Sequence, residues 1–230
     1  MRSFISRIFG QRSQAGTSKR RSRSCRPTLE ELEGRLVPTT VTLEPEGNLR
    51  IVTTFTLFGP AKIDDRIRIE NHGALKIKVT ANGITKYFST YRITGIIRVD
   101  TFGGNDIIRN ETKLPMTAFG GKGNDVIYGG SGADSLYGDE GADGLYGRDG
   151  NDYLLGGFGS DYLFGGTGRD HLYGESGADR LFGSSVTAND RAHDFLLGGP
   201  GTDGFWPEYL NGTNWDAPHD KSEGDFIIRP

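Results

Sequence analysis

The sequence predicts an all-β protein organised around a right-handed parallel β-roll, a solenoid of short strands, on three observations. A nine-residue unit starting at Gly120 repeats seven times without a slip and ends at Phe182. Glycine reaches 36 of 230 residues while apolar residues make up only 34%, which is too little side-chain volume for an ordinary core and too much backbone freedom for long helices. Upstream, residues 41–110 break into short segments of alternating polarity, the period of strands. The expected organisation is a mostly disordered basic leader over 1–40, an N-terminal antiparallel β cap over 41–112, the roll over 113–206 and a C-terminal cap over 207–230.

The units read GGKGNDVIY, GGSGADSLY, GDEGADGLY, GRDGNDYLL, GGFGSDYLF, GGTGRDHLY and GESGADRLF. Glycine stands first and fourth in each. Aspartate stands sixth (Asp125, Asp134, Asp143, Asp152, Asp161, Asp170, Asp179) and Ile or Leu eighth. The last three residues of a unit suit a short strand, with the eighth side chain turned inward. Two units make one coil, so turns on the same side recur every eighteen residues, at about the 4.8 Å strand spacing. This predicts one ladder of Asp125, Asp143, Asp161 and Asp179, and another of Asp134, Asp152 and Asp170.

Glycine turns leave carbonyl oxygens uncovered. The candidate turn residues are Gly121, Gly123, Gly130, Gly132, Gly141, Gly150, Gly157, Gly159, Gly166, Gly168 and Gly177. Carbonyls together with one carboxylate per turn are the donor mixture hard Ca²⁺ prefers, at roughly six to eight oxygens per ion, and Mg²⁺ fits such a cage poorly. Stacked like charges repel without counterions, and a glycine-rich chain has a large ordering entropy to overcome. The repeats are therefore expected to bind several Ca²⁺ ions and to fold around them, at the roughly 10⁻⁴ to 10⁻³ M level of extracellular calcium modules.

Several units depart from the pattern. Asp139, Arg148 and Glu175 replace glycine at the second position, where distorted turns are expected. A six-residue insertion at 183–188 interrupts the period, which resumes as NDRAHDFLL and GGPGTDGFW. Asp194 would then stack on Asp170 and Asp203 on Asp179, and Asp203, with its glycines intact, is the candidate ligand of the two. GGNDII at 103–108 looks like a truncated unit that makes Asp106 a candidate first ligand.

The repeat resembles the RTX, or hemolysin-type, calcium-binding nonapeptide, GGxGxDxUx with U a large apolar residue. That resemblance implies a calcium-loaded parallel roll in a secreted protein. It also implies a type I export route in which the tail over 207–230 acts as an uncleaved signal.

The leader carries nine Lys/Arg against three acids, leaving the body at eighteen against twenty-seven. An acidic body argues against nucleic acid and suits bound cations. The leader reads as a targeting or solvated segment, with a nucleic-acid-binding tail as the alternative. Cys25 stands alone, which excludes an internal disulfide framework. No apolar run is long enough for a transmembrane helix, and FISRIF at 4–9 is too short for a secretory core. At 28–38, TLEELEGRLVP suits a short helix capped by Thr28 and ended by Pro38. It also resembles the LExLExRxxP leader of secreted or surface proteins of planctomycete-type bacteria, which implies export.

Strands are expected at 49–53, 66–70, 75–80, 84–89 and 96–100, with turns at His72, Gly73 and Ala74 and at Asn82-Gly83. They form a cap on the roll or an independent β domain. Tyr128, Tyr146, Phe164 and Phe182 on one sheet, and Tyr137 and Tyr173 on the other, form outward ladders that either stack rung on rung or bind a cell-surface glycan or protein. His72, His171, His193 and His219 are scattered, and neither HExxH nor GxSxG occurs, so no catalytic constellation is expected. The reading is a non-enzymatic extracellular calcium-binding roll with a structural, surface or adhesive role. The alternatives are a carbohydrate- or protein-binding module using the aromatic ladder, or a non-catalytic piece of an RTX toxin or hydrolase.

Overall fold

The computed structural model describes residues 40–52, 64–183, 192–206, 209–210, 213–214 and 224–227. The leader with Cys25, the helix expected over 28–38, the insertion beyond Gly183, His219 and Trp215 lie outside the described residues.

The upstream strands are β1 (Thr40–Leu43), β2 (Leu49–Val52), β3 (Arg66–Asn71), β4 (Lys76–Ala81), β5 (Ile84–Ser89), β6 (Ile97–Asp100) and β7 (Ile107–Glu111). The repeats supply β8 (Met116–Lys122), β9 (Val126–Tyr128), β10 (Ser135–Glu140), β11 (Gly144–Asp149), β12 (Tyr153–Phe158), β13 (Tyr162–Thr167), β14 (His171–Ser176) and β15 (Arg180–Phe182). Beyond them come β16 (Phe195–Leu197), β17 (Gly204–Trp206), β18 (Tyr209–Leu210), β19 (Thr213–Asn214) and β20 (Phe226–Ile227). A single 3₁₀ turn, Thr90–Arg92, is the only helical element among the described residues.

Alternate strands go to opposite sheets. One runs β1-β2-β6-β8-β10-β12-β14-β16 and the other β20-β17-β15-β13-β11-β9-β7-β3-β4-β5, while β18 and β19 form a separate antiparallel pair. Within these two long sheets, from β6 and β7 onward every partner is parallel and one coil away. Leu136 lies opposite Leu154, and Leu154 opposite Leu172. The period of eighteen thus becomes the sheet register. After the insertion the step grows to twenty-four without loss of register, for Leu172 pairs with Leu196 and Leu181 with Phe205.

Two details differ from the sequence reading. The strands β10 to β14 span six residues each rather than the expected three, because backbone pairing continues past the first glycine into the turn, as at Asp139↔Gly157 and Glu140↔Phe158. The upstream segment is also not simply antiparallel. The hairpins β1-β2 and β3-β4-β5 are, but β2 pairs parallel with β6 and β3 parallel with β7. The hairpins therefore lengthen both sheets of the roll. Asn82 and Gly83 make the β4-β5 turn with φ of 49° and 80°, the left-handed pair that a two-residue hairpin requires.

The core consists of two apolar columns, one per sheet. Val99, Ala118, Leu136, Leu154, Leu172 and Leu196 form the first, and Ile108, Ile127, Leu145, Leu163, Leu181 and Phe205 the second, all fully buried. With one inward apolar side chain per nine residues the core is thin, and each residue is flanked by its own kind above and below. On the outer faces aromatic rings stack rung on rung. Phe119 lies 4.7 Å from Tyr137, Tyr128 4.8 Å from Tyr146 and Phe182 4.3 Å from Trp206, each pair near parallel. Seventh-position rings, absent from the predicted ladders, join them: Tyr153 contacts Tyr137 and Tyr173, and Tyr162 contacts Tyr146 and Phe182.

Truncating a mid-column leucine leaves a cavity that glycine-rich neighbours cannot fill. Leu154→Ala is expected to cost about 2–5 kcal/mol in equilibrium urea unfolding of the folded roll. An outward change such as Phe158→Ser, at a side chain 70% exposed, should lie within about 0.5 kcal/mol of the parent.

Candidate metal centre

The sixth-position aspartates are the most deeply buried charged groups of the roll. Asp125, Asp134, Asp143, Asp152, Asp161, Asp170, Asp179 and Asp203 are each no more than 3% exposed. Their side chains turn inward because positions six, eight and one of a unit share the inner face of the pleat. In each of them but Asp134, Oδ1 accepts a hydrogen bond from the backbone N–H of the aspartate one coil earlier. On one edge Asp125 donates to Asp143 at 2.7 Å, Asp143 to Asp161 at 2.8 Å, Asp161 to Asp179 and Asp179 to Asp203 at 2.9 Å. On the other, Asp134 donates to Asp152, Asp152 to Asp170 and Asp170 to Asp194, all at 2.8 Å. The predicted ladders are thus joined by bonds between carboxylate and main chain.

The ladders extend beyond the repeats. Asp106 accepts from Asp65 N–H and donates its own N–H to Asp125, both at 2.7 Å. Asp194, which has lost its glycines, stands in register with the rest, and Asp225 accepts from Asp203 N–H at 2.8 Å. Asp225 was missed because its surroundings, SEGDFII, lack the glycine pattern. Its one signal is the aspartate one residue before an apolar pair, as in Asp125-Val126-Ile127.

The second oxygen differs. Oδ2 of Asp125, Asp143, Asp152, Asp161 and Asp179 is buried and accepts no hydrogen bond. It lies against the first glycine of its own unit, where the carbonyl of the first glycine of the next coil also arrives. A Cβ on Gly138 would strike Asp143 Oδ2 and Gly156 O, and one on Gly147 would strike Asp152 Oδ2 and Gly165 O. The first glycine is therefore required for space, since its φ is not left-handed. The fourth is required for conformation: Gly123, Gly141, Gly150, Gly159, Gly168 and Gly177 all have φ between 115° and 150°.

Second-position residues also take positive φ. Gly121, Gly157 and Gly166 do so at 103°, 113° and 118°, and Asp139, Arg148 and Glu175 follow at 77°, 83° and 70°. The turns expected to be distorted keep the common shape, at a cost of about 1–3 kcal/mol for each side chain held there. Among the seven unbroken repeats, the turn that deviates is the one at 129–134, where neither Gly130 nor Gly132 is left-handed. In that turn Asp134 Oδ1 accepts from Met116 N–H and Oδ2 from Gly130 N–H, both at 2.6 Å, so both of its oxygens are engaged.

Burial pushes the carboxyl groups of Asp106, Asp125, Asp143, Asp152 and Asp179 up to about 7, and those of Asp134 and Asp161 up to about 6. Neighbours add to it, as Asp161 does for Asp143. Among the described residues no three His, Cys, Asp or Glu side chains gather as a metal cluster. A cation here would be held by one carboxylate per turn together with main-chain carbonyls. That donor set fits the orphaned Oδ2 atoms and the oxygens converging beside each first glycine. The chemistry favours a hard, oxygen-seeking ion. His72 lies tilted against Tyr87 at 4.9 Å and His171 stacks on Phe195 at 5.6 Å, so both imidazoles are held in ring contacts.

Glycine turns stacked in parallel, with an inward aspartate at each, define a metal-binding β-roll of the solenoid class. Residues 119–154, 145–163 and 155–185 match the family described as RTX calcium-binding nonapeptide repeat (4 copies). The central segment is a run of RTX repeats, of the calcium-binding type, in a roll that is a non-catalytic structural fold. No curated protein matches the chain. No solved structure matches it either. No helix among the described residues is long and apolar enough to cross a membrane.

The raised carboxyl groups set a pH dependence. The native state binds protons that the unfolded chain has released, so without metal their stabilising effect is complete below about pH 4 and lost as pH rises through about 7. In chelator, the thermal midpoint by circular dichroism should fall steadily from pH 4.5 to 7.5. Metal affinity should rise over the same range, because protons and cation compete for the same oxygens.

Proposed function

We propose that the protein is a non-enzymatic, extracellular calcium-binding roll that orders around several Ca²⁺ ions and serves a structural, surface or adhesive role. The observation that carries this reading is the row of buried, hydrogen-bond-free Oδ2 atoms at Asp125, Asp143, Asp152, Asp161 and Asp179, each facing the carbonyl side of a glycine turn. A carboxylate in that position needs either a proton or a cation, and near neutral pH a divalent ion satisfies two turns at once. The ligands proposed are these aspartates with Asp170 and Asp203, and the carbonyl-rich turns of Gly121, Gly123, Gly141, Gly150, Gly157, Gly159, Gly166, Gly168 and Gly177. Asp106, Asp194 and Asp225 extend the same columns. Asp134, Gly130 and Gly132 share the pattern in a turn whose aspartate is already engaged.

The location outside the cell is supported by the binding strength such turns reach. Neutral carbonyls and one carboxylate per turn suit dissociation constants of about 10⁻⁴–10⁻³ M, loaded outside a cell and empty in a cytosol. The basic leader, with its resemblance to surface-protein leaders, agrees with export. A structural role is supported by the outer faces, where the aromatic rings pack against one another along the rungs.

Calcium titration of the full chain, followed by circular dichroism at neutral pH, tests the reading. Strand signal should rise cooperatively near millimolar Ca²⁺ and not with equal Mg²⁺, and Asp143→Ala or Asp152→Ala should move the midpoint several-fold upward. A chain that is fully folded in excess chelator at pH 7.5 and retains no calcium by mass measurement would overturn it.

A further inference from the structure

We propose that the guanidinium of Arg148 stands in for a metal ion at the first turn of the edge that carries Asp134, so that this turn closes without calcium and the ion column of that edge begins one coil later. The inference rests on the calcium reading for the other turns.

Three observations converge on this position. The first is Met116. It occupies the aspartate register, one coil before Asp134, and it is buried on the inner face as the aspartates are. The gap between its coil and the turn at 129–134 therefore lacks the carboxylate that every later gap on this edge possesses. The second is the destination of the Arg148 side chain. Its Nη1 donates to the carbonyls of Asn110 at 3.1 Å and Gly129 at 3.3 Å, and its guanidinium carbon sits 5.1 Å from the centre of the Tyr128 ring. Gly129 O belongs to the class of first-glycine carbonyls that, in the later coils, converge with an aspartate Oδ2. Here it meets a cationic side chain.

The third is the backbone. Arg148 holds φ at 83° at a position where its counterparts Gly157 and Gly166 are glycine, so the side chain occupies this site against its conformational preference. The turn it reaches is the one whose glycines leave the left-handed region and whose aspartate has both oxygens bonded by N–H groups.

Charge balance explains the exchange. A divalent ion in a gap bounded by a methionine would meet carbonyls and a single carboxylate, Asp134, whose two oxygens are already bonded to N–H groups. A single delocalised charge with a fork of N–H donors satisfies two carbonyls and an aromatic face and is balanced by Asp134 without a second carboxylate.

Two variants test this in the full chain at saturating Ca²⁺. Arg148→Gly installs the residue the turn prefers, so the backbone is relieved rather than strained. Amides of Met116 and Gly130, bonded to Asp134, should nevertheless exchange with deuterium about tenfold faster, as loss of two charge-assisted hydrogen bonds implies. Met116→Asp combined with Arg148→Gly rebuilds the missing carboxylate and vacates the gap, and should bind one calcium more per chain than the parent by mass measurement. An unchanged ion count in a folded double variant, or unchanged exchange in Arg148→Gly, would overturn the inference. A parent chain that binds no calcium at all would instead sink the calcium reading, and the exchange experiment then decides the role of Arg148 alone.

Discussion

The roll depends on the burial of carboxylates in register. Each aspartate places one oxygen under the backbone N–H of the preceding coil and leaves the other inside, beside a glycine that has no room for a side chain. Everything else follows from that placement. The column locks consecutive coils at one spacing, it forces glycine at the first position, and it leaves a row of anionic oxygens that a thin apolar core cannot neutralise. Hydrophobic burial contributes one leucine or isoleucine per unit and could not by itself hold turns this rich in glycine. The carboxylate rims and the core are complementary parts of a single arrangement, with the apolar columns between the sheets and the charged columns along the rims.

Much of this was legible because the repeat encodes it redundantly. Glycine, aspartate and leucine at fixed offsets specify the coil, the rim and the core together, and the period survives the insertion, so that Asp194 and Asp203 fall into register twenty-four residues after their partners. What stayed hidden lacked a side-chain signature. The strands run on into the turn because their pairing there is made by the main chain, which glycine chemistry does not announce. The parallel pairing of β2 with β6 and of β3 with β7 was invisible because alternation reports which face a residue occupies and not the direction of its neighbour. Asp225 carries the geometry of a repeat without its glycines.

The second position shows how the pattern tolerates exceptions. Asp139, Arg148 and Glu175 adopt the left-handed conformation without altering their turns, so the backbone of the coil dictates the local angle, and the residue conforms. The third-position residues, stacked directly over one another, can then carry complementary charge, as Lys122 and Glu140 do at 2.6 Å.

The alternation of units between two sheets restricts how such a chain can change in length. Loss or gain of a single nonapeptide would hand every downstream strand to the opposite face, carrying β17 and β20 away from the column they now cover. Loss or gain of two leaves each strand where it was. Growth of this molecule is accordingly quantised in pairs of units, and an irregular length such as the insertion after Phe182 is tolerated only where the strands on either side of it keep their register, as Leu172 does with Leu196 and Leu181 with Phe205.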